Sequence, residues 1–328
     1  MKKAVLAGAL ALTALTLGAV APVQAQGYPT RNIIMIVPFP PGGPSDIVAR
    51  IMAEGMTRYI GQPVVIENVG GAGGTIGASR AAEATADGYT LLAGSMGTMI
   101  AAPSFYPNLR YDASKDFEPL GMTADMPAAV AVKTDLPVKN LKEFIDYVKK
   151  NGTNVKQAHG GVGASSHMAC LLFNKLFDLK PTQVAYRGTG PAMNDLVGGH
   201  IDYYCEQVVN IAPSAEGKKV KALVVSANER LAVMPDVPGA KEAGAPDYQL
   251  NVWNAIYAPK GTPKAALDKL NDALAKTLDD PETAKKLGNL GATVPKKEQR
   301  GPAFLRKSLA DDIPRWAPIL KEAAVDAK

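Results

Sequence analysis

An apolar run that feeds a glycine-rich turn and then an amphipathic helix recurs along this chain, and that grammar leaves few architectures open. The first instance is Ile33-Ile34-Met35-Ile36-Val37, then Pro38-Phe39-Pro40-Pro41-Gly42-Gly43-Pro44-Ser45-Asp46. From Asp46 to Ile60 the apolar residues Ile47, Val48, Ile51, Met52, Met56 and Tyr59 follow helical spacing and form one stripe. Val64-Val65-Ile66 reads as the next strand and runs into a second loop, Gly70 to Gly77; a helix over 78–84 and a strand over Thr90 to Ala93 follow, ending at Gly94-Ser95. The middle of the chain repeats the pattern. A strand over 128–132 precedes a helix opened by Asn140 and Glu143, which have capping-box spacing. Gly160 to His167 then leads a helix carrying Met168, Leu171, Leu172 and Leu176, and Gln183 to Tyr186 leads into Arg187-Gly188-Thr189-Gly190-Pro191. Short strands are expected at 201–205 and 222–226. Thr262-Pro263 and Asp280-Pro281 open two further helices, and a last helix from Arg300 is expected to break at Pro314 and Pro318. Strands alternating with helices predict a parallel-type α/β architecture.

The N-terminus reads as an export signal. Lys2 and Lys3 precede an apolar stretch from Val5 to Val20, and Val23-Gln24-Ala25 has the small-x-small spacing of a cleavage site. Residues 1–25 are therefore expected to be removed, leaving a soluble exported chain. The formal charge of +5 becomes +5 − 2 = +3 without Lys2 and Lys3. That excess is too small and scattered for a nucleic-acid partner. Cys170 and Cys205 are the two cysteines; an oxidising compartment permits a disulfide between them, and spacing does not separate that from two buried thiols.

The turns carry the functional signal. Loops beyond the carboxyl ends of strands feed helix N-termini, where N–H groups lack internal partners and the dipole favours an anion. Five such turns, Gly42-Gly43, 70–77, 94–97, 160–166 and 188–190, point to a cleft that grips an anion by its backbone. No Gly-Lys-Ser/Thr follows any of them, and Gly71 to Gly77 fits a dinucleotide fingerprint imperfectly, so no nucleotide cofactor is expected. His159, His167 and His200 have no metal-ligand spacing, so no metal is expected. Ser165, Ser166 and His167 are adjacent, but adjacency is not a triad, and His167 reads more simply as a hydrogen-bonded residue of a first helical turn. Asp46 reads equally as a charge complementing the dipole or as a group that fixes its loop. Tyr186, Tyr203, Tyr204 and Trp253 read as core or as cleft wall. Glu206-Gln207 are unusual for a core and fit a polar cleft position that selects the far end of a ligand.

Further blocks carry a resemblance. Val37 to Asp46 with Ala49-Arg50 resembles the first signature of the periplasmic receptors of tripartite tricarboxylate transporters, the TctC or Bug family. Gly70-Gly71-Ala72-Gly73-Gly74 resembles its second loop, and Gly163-Ala164-Ser165-Ser166-His167-Met168 is similar to its Gly-Ser-x-x-His-Leu element, with Ala164 in place of a frequent Ser. Tyr186 to Ala192, Asp195-Leu196, Gly199-x-Ile201-Asp202, Pro235 to Pro238 and Tyr257 to Pro263 extend the match in order across nearly the whole mature chain. Glu206 departs from it, standing where members often carry Asp.

The resemblance implies an α/β fold of two lobes, a periplasmic-binding-protein clamshell with a mixed sheet flanked by helices in each lobe. It implies one lobe from residues 26–124 plus 250–328 and the other from residues 125–249. It implies capture of an organic carboxylate, an aliphatic di- or tricarboxylate or an aromatic acid, for delivery by a monomer to membrane permease subunits, with no catalysis and no cofactor. A ligand-sensing module needs the same clamshell, and a hydrolase using Ser165 or Ser166 with His167 is the remaining alternative. The expected ligand-binding residues are Phe39, Pro41, Gly42, Gly43, Ser45 and Asp46 on the first loop, with Gly163, Ser165, Ser166, Thr189 and Gly190 opposite. Thr75, Ser95, Glu206 and Trp253 complete the set.

Overall fold

A computed structural model describes residues 27–326; the expected export segment lies outside them. The backbone alternates as the turns predict. Strand β1 (Ile33–Val37) runs into helix α1 (Pro44–Ile60), β2 (Val64–Asn68) into α2 (Thr75–Ala82), and β3 (Thr90–Ser95) into a π-turn at Gly97–Ala101 and α3 (Ala102–Phe105). After β4 (Phe117–Val132) come α4 (Leu141–Asn151), β5 (Lys156–His159), α5 (Ser165–Phe177), β6 (Thr182–Ala185), α6 (Thr189–Val197), β7 (Tyr203–Gln207), α7 (Val208–Glu216) and β8 (Lys221–Val225). The chain returns through β9 (Asn251–Pro259) and ends in α8 (Lys264–Asp279), α9 (Pro281–Gly288) and α10 (Pro302–Asp326). No helix among the described residues is long and apolar enough to cross a membrane.

The strands are ordered β2-β1-β3-β9-β4-β7-β5-β6, with β8 also on β4. Pairs β1·β2, β1·β3, β5·β6 and β5·β7 are parallel. The pairs around β9 and β4 are antiparallel. The sheets are thus mixed, as the resemblance implies, with parallel pairs where strands and helices alternate and antiparallel pairs at the long strands. The reason lies in β4, sixteen residues long where the sequence suggested five. Its first part, Phe117 to Pro127, pairs with β9; Ala128 to Val132 pair with β7 and β8. Pro119, Gly121 and Pro127 interrupt the strand signal in sequence, yet Pro119 and Gly121 flank a register shift, where a missing ladder bond is tolerated. β4 joins the sheets of the two lobes, each flanked by helices.

Two further expectations change. α10 continues through Pro314 and Pro318. Its buried Leu305, Leu309, Trp316 and Leu320 pack into the core, and that burial outweighs the backbone bonds the prolines remove. Glu206 and Gln207 lie within the end of β7, not beyond it. Local start signals hold where a side chain does the capping. Asn140 Oδ1 accepts from Glu143 N–H at 2.9 Å, and Asp280 Oδ1 accepts from Glu282 N–H at 2.8 Å. Cys170 and Cys205 form a disulfide that ties α5 to β7.

Candidate functional site: a crevice between helix N-termini

Three helices begin at one crevice. Gly43, Pro44 and Ser45 are the N-cap and first residues of α1; Ala164, Ser165 and Ser166 hold the same places in α5; Thr189 opens α6. Within α1 the first intrahelical bond closes from Ile47 N–H to Gly43 O. Within α5 it closes from Met168 N–H to Ala164 O. The amides before them have no helical carbonyl to meet, so donors and the positive ends of the dipoles converge on one space. Phe39 and Pro40 form its apolar side, and Gly160, Glu206 and Gln207 its far side. No lysine, arginine or histidine contributes to the lining. The crevice is narrow, about 30 Å³.

The loop over α1 is held by Asp46. Its carboxylate accepts from Gly42 N–H at 2.9 Å and Arg50 Nε at 3.0 Å through one oxygen, and from Asn68 Nδ2 at 2.8 Å through the other. Burial pushes this carboxyl up, but the bonds from Arg50, Gly42 and Asn68 together outweigh it and hold it below the usual range. Asn68 Nδ2 also donates to Phe39 O at 3.0 Å. Gly42 sits at φ +83°, a left-handed conformation natural to glycine.

The facing loops approach very closely. A β-carbon on Gly43 would lie 3.5 Å from Thr189 Oγ1, and one on Gly188 would lie 3.0 Å from Pro40. At Gly73 it would fall 1.9 Å from Val162 O, a position that no larger residue can occupy. Asn210 Nδ2 donates to Gly42 O at 2.9 Å across the gap.

The serines and histidines do not form a nucleophile–base pair. Ser166 Oγ accepts from Gly160 N–H at 2.9 Å. Ser165 Oγ accepts from Gly97 N–H at 3.3 Å and lies 3.5 Å from Ser95 Oγ. His167 Nδ1 accepts from Gly163 N–H at 3.1 Å, so Nε2 carries the proton and faces Gln183 Oε1 at 3.0 Å. Burial, then the neighbouring His159 with its ring 4.4 Å away, lowers the His167 pKa to about 3. The ring is neutral and fully engaged.

Of the residues expected from sequence, Phe39, Gly43, Ser45, Ser165, Ser166, Thr189 and Glu206 line the crevice together. Pro41 and Gly42 are exposed on the first loop, Asp46, Ser95 and Gly163 lie elsewhere on the surrounding helix start, strand end and loop, and Gly190 follows Thr189 at the α6 start; none of these six lines it. Thr75 Oγ1 donates to Ala72 O and borders a separate hollow with Tyr106 and Arg110. Trp253 is buried in the core, its indole N–H donating to Asp312 Oδ2 at 2.9 Å. Pro40, Pro44, Gly160 and Ala164 were not among the expected residues. Pro44 has a recognisable signal, since a proline just after a candidate cap marks a first helical position.

The family model described as "Tripartite tricarboxylate transporter family receptor" matches residues 48–325. The chain belongs to this family. Among solved structures, this TctC-family receptor resembles MatC from Rhodopseudomonas palustris with bound malate, at 43% identity and a TM-score of 0.85, over 89% of this chain and 100% of that one. It resembles the periplasmic binding protein BugD at 39% identity and a TM-score of 0.86, over 91% and 99% of the two chains. It also resembles an R. palustris protein, Rpa4515, with adipate, at 29% identity and a TM-score of 0.85, over 90% and 97%. Family and neighbours are solute-binding receptors.

Proposed function

We propose that this receptor captures an organic carboxylate in the periplasm and hands it to a tripartite tricarboxylate-type permease, without covalent chemistry. The observation that carries this reading is the meeting of the α1, α5 and α6 N-termini on a crevice with no cation in its lining. A carboxylate held by several backbone N–H groups keeps its charge compensated. It also avoids desolvating a partner ion, which a buried salt bridge would require. Two relatives with malate and with adipate bound support the ligand class. The engaged, neutral His167 weighs against a serine hydrolase.

The ligand-binding set is Phe39, Gly43, Ser45, Ser165, Ser166, Thr189 and Glu206, with Asp46 fixing the first loop. The lobes divide at 124/125 and 249/250, which the change of β4's partners after Pro127 supports. The crevice is narrow where its two walls meet, so entry requires the lobes to part. The ligand favours closure because it touches both walls only when they meet. Thermal-shift titration against aliphatic di- and tricarboxylates and aromatic acids tests the reading. A true ligand at a hundredfold over its dissociation constant stabilises by about 2.7 kcal/mol; absence of stabilisation by every acid overturns it.

A further inference from the structure

The far wall of the crevice carries buried side-chain acceptors. Glu206 is buried, 1% exposed, and lines the space. One oxygen accepts from Thr189 Oγ1 at 2.7 Å and Tyr204 OH at 2.6 Å, and the other accepts from Gln207 N–H at 2.7 Å. A carboxylate has about four acceptor positions, so one on Oε1 is unused. Every partner is a neutral donor, and no cation pairs with Glu206 among the described residues; burial pushes its carboxyl up, against the bonds from Tyr204, Thr189 and Gln207. Beside it Gln207 Oε1, also lining the crevice and buried, has no partner. The near wall therefore offers backbone donors, and Glu206 on the β7 wall presents an unused acceptor position.

We propose that Glu206 is a specificity-determining residue, requiring its ligand to present a hydrogen-bond donor to the β7 wall. The preferred ligand is then a carboxylate that also bears a hydroxyl or ammonium group. An unsubstituted dicarboxylate, which brings only acceptors and a second negative charge, binds more weakly. This rests on the carboxylate reading above. The physical reason is that a buried acceptor left facing another acceptor is desolvated without compensation.

The test holds the skeleton constant. Calorimetry at neutral pH compares succinate, malate and aspartate, and likewise glutarate, 2-hydroxyglutarate and glutamate, on the full mature chain. The hydroxyl- or ammonium-bearing member of a set is expected to bind at least about tenfold more tightly than the unsubstituted one. Glu206→Gln is expected to close that gap, weakening the ammonium-bearing ligand and strengthening the unsubstituted one; Glu206→Asp, which keeps the charge, is expected to retain the preference. Equal or reversed affinities in the wild-type protein overturn the proposal whether or not the variants fold. An unchanged ratio in folded Glu206→Gln overturns it too. Binding of no acid in either set, or in the wider panel above, overturns the carboxylate reading and this inference with it.

Discussion

Gly43 stands where the two walls are nearest. Its φ of −82° and ψ of 169° suit any residue, so a side chain there costs the backbone little. A valine would instead project toward Thr189 and fill the space in front of the α1 amides. Gly43→Val is expected to weaken binding by more than about a hundredfold, the effect of losing a close backbone grip. Its thermal midpoint in the absence of ligand should stay within a few degrees of wild type. Calorimetry with the best acid, paired with circular dichroism, checks both; wild-type affinity would remove this loop from the site. Asp46 acts one layer back. Its carboxylate is consumed by Gly42, Arg50 and Asn68, so it shapes the loop rather than meeting the ligand.

At the scale of elements, the disulfide matters because of what it joins. Cys170 lies one turn into α5, whose start carries Ser165 and Ser166, and Cys205 precedes Glu206 on β7. Two parts of the crevice wall are therefore locked together. The closed loop spans a sequence separation of 35, for which chain entropy gives about 3–4 kcal/mol. Replacing both cysteines by serine is expected to lower unfolding stability by roughly that amount, measured by urea denaturation. The helix starts at Asn140 and Asp280 were legible because a capping side chain acts on its own neighbours within one turn. The length of β4 and the persistence of α10 were not. Proline and glycine disfavour a strand or helix locally, and only packing against distant partners overrides that preference.

For the whole molecule, the strands that cross between the lobes carry an unusual carboxyl. Asp125 pairs with Trp253 in the β4·β9 ladder. Burial, then the negative charge of Asp312, raises its pKa to about 6. The folded state thus holds this proton more tightly than the unfolded chain, where an aspartate titrates near 4. Its contribution to stability is fully present below about pH 4 and is lost as pH rises through about 6. Asp125→Asn removes that penalty, and is expected to stabilise the protein by about 2 kcal/mol at pH 7 and to differ little near pH 4. Denaturation at the two pH values reads the difference directly; an equal effect at both would show that Asp125 does not titrate in this way.

The amino-acid sequence by itself determined the local grammar: apolar runs, glycine turns and helix starts, and hence that several unpaired amides would point the same way off the sheet edges. These are properties of neighbours within a few residues, set by backbone geometry and side-chain period. Tertiary structure alone decided which turns meet. It set Gly43 against Thr189 and placed Glu206 behind them, moved Thr75 to a separate hollow, and withdrew Trp253 into the core against Asp312. It also chose between a disulfide and two thiols for Cys170 and Cys205. Each of these depends on the register of long-range strand pairs, chiefly β4 with β9 and β7, and no short stretch of sequence encodes that distance.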